Sequence, residues 1–117
     1  MNTIGWKVVS RNADGTLGSA ICRGLWARVY TVNQRVTGYA GTPVLAFSTR
    51  KAARSFKYYR SHRVFKALLE NPWQRRYIAR PWEPGSFEGF WASSNLAPHH
   101  APDGTLACDA ITLLEQA

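Results

Sequence analysis

The sequence predicts an α+β fold: a mainly antiparallel, twisted sheet of about five to six strands, one principal amphipathic helix at about 49–60, and a long aromatic and proline-rich loop at about 72–102. Three observations predict it. The 117 residues are 45% hydrophobic, which suits one domain, 1–117, with a buried core and is too rich for a disordered chain. The apolar runs are short, rich in β-branched and aromatic residues, and punctuated by Gly, Pro, Asn and Asp. One window alone, after Phe47, carries a convincing helical period.

Taken in order, Trp6-Lys7-Val8-Val9-Ser10 alternates weakly and leads into Asn12-Ala13-Asp14-Gly15, a tight-turn signature, so a hairpin into Ser19-Ala20-Ile21-Cys22 is expected. Arg28-Val29-Tyr30-Thr31-Val32 reads as a third strand. Gly38, Gly41 and Pro43 then break the chain before Val44-Leu45-Ala46-Phe47, an apolar run short enough for a buried strand. Ser48 or Thr49 can cap the helix that follows. At about 100° per residue, Ala52, Ala53, Phe56 and Tyr59 fall on one side of it, and Arg50, Lys51, Arg54 and Lys57 on the other. Val64 to Leu69 reads as a strand ended by Asn71-Pro72.

The stretch from Pro72 to Pro102 differs in kind. It holds five of the six prolines and six aromatics, Trp73, Tyr77, Trp82, Phe87, Phe90 and Trp91. Tyr77-Ile78-Ala79 reads as a short strand, and the remainder as an ordered loop, because disordered segments are poor in aromatics. Pro102-Asp103-Gly104-Thr105 is a turn, and Leu106 to about Leu114 is the closing strand.

Charge is the most informative functional signal. Lys and Arg number 15 against 7 Asp and Glu, a net charge of +8. Residues 50–80 hold ten of the bases (Arg50, Lys51, Arg54, Lys57, Arg60, Arg63, Lys66, Arg75, Arg76 and Arg80) and one acid, Glu70, so the whole excess lies in this stretch. Helices on small sheets commonly solvate a charged face, but such a face usually mixes signs and gains pairs one turn apart. Here no acid occurs from Arg50 to Leu69. The expected partner is therefore anionic, either a nucleic acid or nucleotide, or the acidic surface of another protein. Arg50, Arg54 and Lys57 would contact phosphates or carboxylates, Arg75, Arg76 and Arg80 would extend the patch, and Trp73, Tyr77 or Trp82 would stack on a base. The same tryptophans could instead fold the loop back onto the sheet as a small second core.

Other chemistries leave little trace. Zinc-finger spacing and the aromatic motif of four-stranded RNA-recognition domains are missing. Gly38-Tyr39-Ala40-Gly41-Thr42 lacks the Lys-Ser/Thr of a phosphate loop and reads as a turn. His99-His100 has no grouped Cys or carboxylate ligands and reads as a surface Pro-His-His-Ala-Pro loop; no metal and no cofactor are expected. The carboxylates are scattered, and no nucleophile arrangement is visible, so a non-enzymatic role is favoured. Cys22 and Cys108 each sit in an apolar run and read as small core hydrophobes, with a disulfide between them left open if their strands are neighbours. No window approaches the roughly 20 apolar residues of a bilayer span, and the first residues lack the basic and apolar regions of a signal peptide, so a soluble cytoplasmic protein is expected.

Asp14-Gly15-Thr16-Leu17 with Ser19-Ala20, Val29-Tyr30, Leu45-Ala46-Phe47-Ser48-Thr49 with Ala52-Ala53 and Phe56, and the closing Asp109-Ala110-Ile111-Thr112-Leu113-Leu114 together resemble a group of small uncharacterised phage and prophage proteins, over about half the chain. The resemblance implies an α+β domain of viral origin that acts in the host cytoplasm as a binder countering host defences, and it transfers no catalytic residue. A weaker likeness is to ADP-ribosyltransferases, which implies nicotinamide-binding roles for Arg28, for Ser48 with Thr49, and for Glu83 or Glu88.

Overall fold

The computed structural model describes residues 2–20, 28–38, 43–57, 60–74, 77–78, 99–100 and 104–117. Cys22, Tyr59, residues 39–42 of the turn expected from sequence, and most of the 72–102 stretch, including Arg75, Arg76, Arg80, Trp82, Glu83, Glu88 and Trp91, lie outside the described residues.

The α+β class and the mainly antiparallel sheet are as the sequence predicts. At its centre β1 (Asn2–Arg11) and β6 (His62–Glu70) pair antiparallel from Asn2 opposite Glu70 to Ser10 opposite His62. The turn after β1 is built as expected: Gly15 takes φ +88°, and the Asp14 carboxylate accepts from the Thr16 N–H (3.0 Å) and hydroxyl (2.6 Å), which holds the acid below the ordinary aspartate range. It leads into β2 (Leu17–Ser19), which pairs with β1 and with β3 (Val29–Tyr30). Outside β6 lie β11 (Ala110–Gln116) and then β4 (Arg35–Thr37). Beyond β1 lie β5 (Val44–Phe47), β10 (Thr105–Cys108) and β7 (Trp73–Gln74).

Three sequence expectations need correction. Among the described residues the principal sheet holds nine strands rather than five to six. The closing strand is two strands, β10 and β11, separated by Asp109, whose N–H bonds the Glu70 carbonyl at 2.9 Å and whose carboxylate accepts from Asn71 Nδ2 at 2.9 Å. β8 (Tyr77–Ile78) falls within the short strand expected at Tyr77-Ile78-Ala79, but the remainder of the 72–102 stretch is not all loop: β7 joins the main sheet, and β9 (His99–His100) pairs with β8 in a small two-stranded sheet that takes the histidine pair out of the loop assigned to it.

The split at Asp109 also dictates the shape of the sheet. Laid flat, the strands from β10 to β11 would be about 19 Å apart at about 4.8 Å per step, yet two peptide units span at most about 7 Å. The sheet must therefore curl until the end of β10 meets the start of β11. Inside the curl is the larger core, formed by Val9, Tyr30, Val44, Ala46, Phe65, Ala67, Leu69, Cys108, Ile111 and Leu113. Gly5 lets β1 approach that core: a Cβ there would lie 2.4 Å from Leu69 Cδ1 and 2.8 Å from the Phe47 carbonyl oxygen. Lys7 also reaches across the strands, donating to the Leu45 carbonyl at 2.6 Å with its ammonium 5.6 Å from the centre of the Tyr30 ring. Cys108 is the buried hydrophobe that its sequence context predicts; burial pushes its thiol up to about 11 despite the opposing charge of Lys7.

The single helix among the described residues, α1 (Arg50–Phe56), covers the outer face of the curl. It is shorter than the 49–60 expected. Lys57 takes an extended backbone (φ −64°, ψ 107°), and its N–H closes the last turn on the Ala53 and Arg54 carbonyls, so the chain can turn at 60–61 into β6.

Candidate anion-binding site

Two features hold α1 in place. Thr49 is the N-cap, its hydroxyl accepting from the Ala52 N–H at 3.1 Å. The buried stripe then follows the helical period: Ala53 is fully buried, Ala52 and Phe56 partly so, against Trp6, Val8, Phe47 and Val64, with the Phe47 and Phe56 ring centroids 5.2 Å apart. Gly104 fits the turn before β10 against the helix. It has φ +82°, its carbonyl accepts from the Ser48 N–H at 2.8 Å, and a Cβ there would lie 2.9 Å from Ala52 Cβ.

The opposite face is cationic. Arg50, Lys51, Arg54 and Lys57 are all exposed, and Arg50, Lys51, Arg54 and Ser55 line a shallow surface depression. Arg60 is exposed just beyond, while the Arg63 guanidinium turns back to donate to the Arg60 and His62 carbonyls. Among the described residues the ion pairs are Arg35 with Glu70 (2.8 Å) and Lys66 with Glu115 (3.9 Å), both away from α1. The first turn of the helix has no acid and carries Arg50 and Lys51, although the helix dipole favours negative charge there by about 0.3–1 kcal/mol per group. Lys51 and Arg54, three residues apart, add like-charge repulsion of about 0.2–0.5 kcal/mol. The first-turn cations thus work against the helix that carries them, whereas Arg54 in the last turn and Lys57 at the C-cap suit its dipole.

Of the site residues expected from sequence, Arg50, Arg54 and Lys57 come together on this face. Trp73 is on β7, opposite Ala107 of β10, which in turn is opposite Leu45 of β5. Side chains alternate along a strand, so Trp73 lies on the same side of the sheet as Phe47, the helix side, and it is 40% exposed. The backbone of Tyr77 pairs with His100 in the small separate sheet. Lys51 and Ser55 also line the depression; the helical wheel puts Lys51 on the charged face although it is not among the contacts expected from sequence, and no charge or motif marks Ser55.

Beneath the end of α1 is one buried titratable residue. His62 is 1% exposed and is held below the ordinary histidine range. Burial is the main cause, a hydrogen bond to the Ala20 backbone partly offsets it, and the charge of Lys57 adds to it. Nothing in the local sequence marks this histidine as buried.

The described residues of the ADP-ribosyltransferase likeness have local structural partners: the Arg28 N–H donates to Ser19 Oγ at 2.8 Å, the Ser48 N–H donates to the Gly104 carbonyl at 2.8 Å, and the Thr49 hydroxyl caps the helix. No helix among the described residues is long and apolar enough to cross a membrane, and none of the described His, Cys, Asp and Glu form a group of three that could hold a metal. No protein-family model, curated protein or solved structure matches the chain.

Proposed function

We propose that the chain is a small, non-enzymatic binding protein whose α1 cations hold the phosphates of a nucleic acid. The observation that carries this reading is the unbalanced face itself: Arg50, Lys51, Arg54 and Lys57 are exposed and carry no ion pair to a described carboxylate, and Arg50 and Lys51, in the first turn, oppose the helix's own dipole. Arg50 and Arg54 are one turn apart, about 5–6 Å between Cβ atoms, which suits two guanidinium groups addressing neighbouring phosphates bidentately. Trp73, exposed on the helix side of the sheet, offers a ring for a base to stack on at about 1–3 kcal/mol. The resemblance to phage and prophage proteins supports a setting in the infected host's cytoplasm and a role against host defence.

Retention on heparin and on single-stranded oligonucleotide at low salt tests the proposal, with Arg54→Glu as the variant. The expected result is retention of the wild-type chain and weaker retention of Arg54→Glu on every sequence alike. Absence of retention on either matrix overturns the nucleic-acid reading. Binding to free nucleotides without binding to oligonucleotides would move the ligand to a nucleotide signal, and capture of one acidic host protein without either would move it to a protein surface.

A further inference from the structure

Trp73 and the cationic helix are joined by a short run of contacts through β10. Gly104, at the entry to β10, accepts from the Ser48 N–H at 2.8 Å and is so close to α1 that a Cβ on it would lie 2.9 Å from Ala52 Cβ. Three residues further along, Ala107 is opposite Trp73 of β7. One step between strands of about 4.8 Å and three residues of about 3.3 Å put Trp73 about 11 Å from the helix contact at Gly104. Trp73 is on the helix side of the sheet and 40% exposed, and among the described residues β7 is the edge strand. Ring and cations therefore share one side of the molecule, at a separation that a strand of about four nucleotides covers, the smallest site size of common single-strand binding folds.

We propose that the site selects single-stranded over double-stranded nucleic acid, with phosphates on α1 and one unpaired base stacked on Trp73. The proposal rests on the reading of α1 as an anion site. Stacking needs a free base face, and within a duplex both faces of each base are taken by its neighbours. Electrostatics alone would choose the other way. A duplex carries one charge per about 1.7 Å of its axis, so a patch of cations without a ring prefers it as the denser anion. A ring beside the cations reverses the preference, because stacking on one base raises affinity about tenfold and the interior of a duplex offers no such base. Every base has a π face, so the selectivity is for strandedness and not for sequence.

The test uses the full chain and three fluorescent probes of equal length: an oligothymidylate, the same phosphodiester strand with abasic sugars throughout, and the duplex of the oligothymidylate with oligoadenylate. Affinities are read by anisotropy at one fixed low salt concentration. The oligothymidylate should bind about tenfold more tightly than the abasic strand, and more tightly than the duplex. Trp73→Ala should close the gap between oligothymidylate and abasic strand, whereas Arg54→Glu should weaken binding to all three probes and keep the gap. Ultraviolet cross-linking of an oligothymidylate carrying 5-iodouracil to the wild-type chain should label the peptide that holds Trp73, as read by mass spectrometry. An abasic strand or a duplex bound as tightly as the oligothymidylate, a gap that persists in Trp73→Ala, or a cross-link confined to other peptides would overturn the selectivity and leave the anion site standing. Absence of binding to all three probes would overturn both. The wild-type affinities and the cross-link decide the matter even where Trp73→Ala fails to fold.

Discussion

Lys51→Glu should make the protein more stable and a poorer binder at the same time. Lys51 is exposed in the first turn of α1, three residues before Arg54, in a turn without an acid. A glutamate there meets the helix dipole favourably, at about 0.3–1 kcal/mol, and replaces repulsion of Arg54 by attraction, at about 0.2–0.5 kcal/mol for each sign. Together these give about 1 kcal/mol, or an increase in Tm of about 4 °C for a domain of this size. Thermal melts followed by circular dichroism at low salt read the gain, which should shrink in high salt as the charges are screened. In the same buffer the affinity for an oligonucleotide should fall, and its salt dependence should become shallower by about one. A variant that melts at or below the wild-type temperature, or that binds as well as the wild type, would show that these cations serve the fold and not a ligand.

Other consequences of the packing are equally direct. Gly5→Ala should destabilise by about 1–3 kcal/mol in urea denaturation, because the new methyl meets Leu69 Cδ1 at 2.4 Å and the Phe47 carbonyl at 2.8 Å on the crowded side of β1. Thr49→Ala should cost about 1 kcal/mol by removing the acceptor for the Ala52 N–H, and Thr49→Asp should recover most of it. Cys108, buried with its thiol pushed up to about 11, should resist alkylation at mildly alkaline pH until the protein is unfolded; mass spectrometry of the labelled peptide reads this directly.

How much could be read from sequence depended on whether the cause was local. Val44–Phe47 is a strand at the expected residues because it is an apolar run bounded by Pro43 and by the Ser48-Thr49 cap, all within a few residues. The turn at Asp14-Gly15 and the N-cap at Thr49 are likewise short-range hydrogen-bond chemistry. The cationic face was visible because a helical period and a run without acids are both local patterns. By contrast, Arg35–Thr37 is a strand because β11 is beside it, with Val36 opposite Ile111 in the core. The break at Asp109 has no Gly or Pro to announce it; it exists because β10 must pair with β5 while β11 pairs with β6. The burial of His62 likewise depends on the helix folding over β6. Trp73 is conspicuous in the sequence for its ring, but its side of the sheet follows only from the registers of Trp73 with Ala107 and of Ala107 with Leu45.

The most direct measurement is the salt dependence of oligonucleotide affinity for the wild-type chain and for Arg54→Glu. If the four exposed cations of α1 each displace a counterion from single-stranded nucleic acid, log affinity should fall against log salt with a slope of about −3, and the variant should weaken binding to all sequences and flatten the slope. A wild-type slope near zero, or the same slope in Arg54→Glu, would contradict the assignment of phosphate binding to this helix.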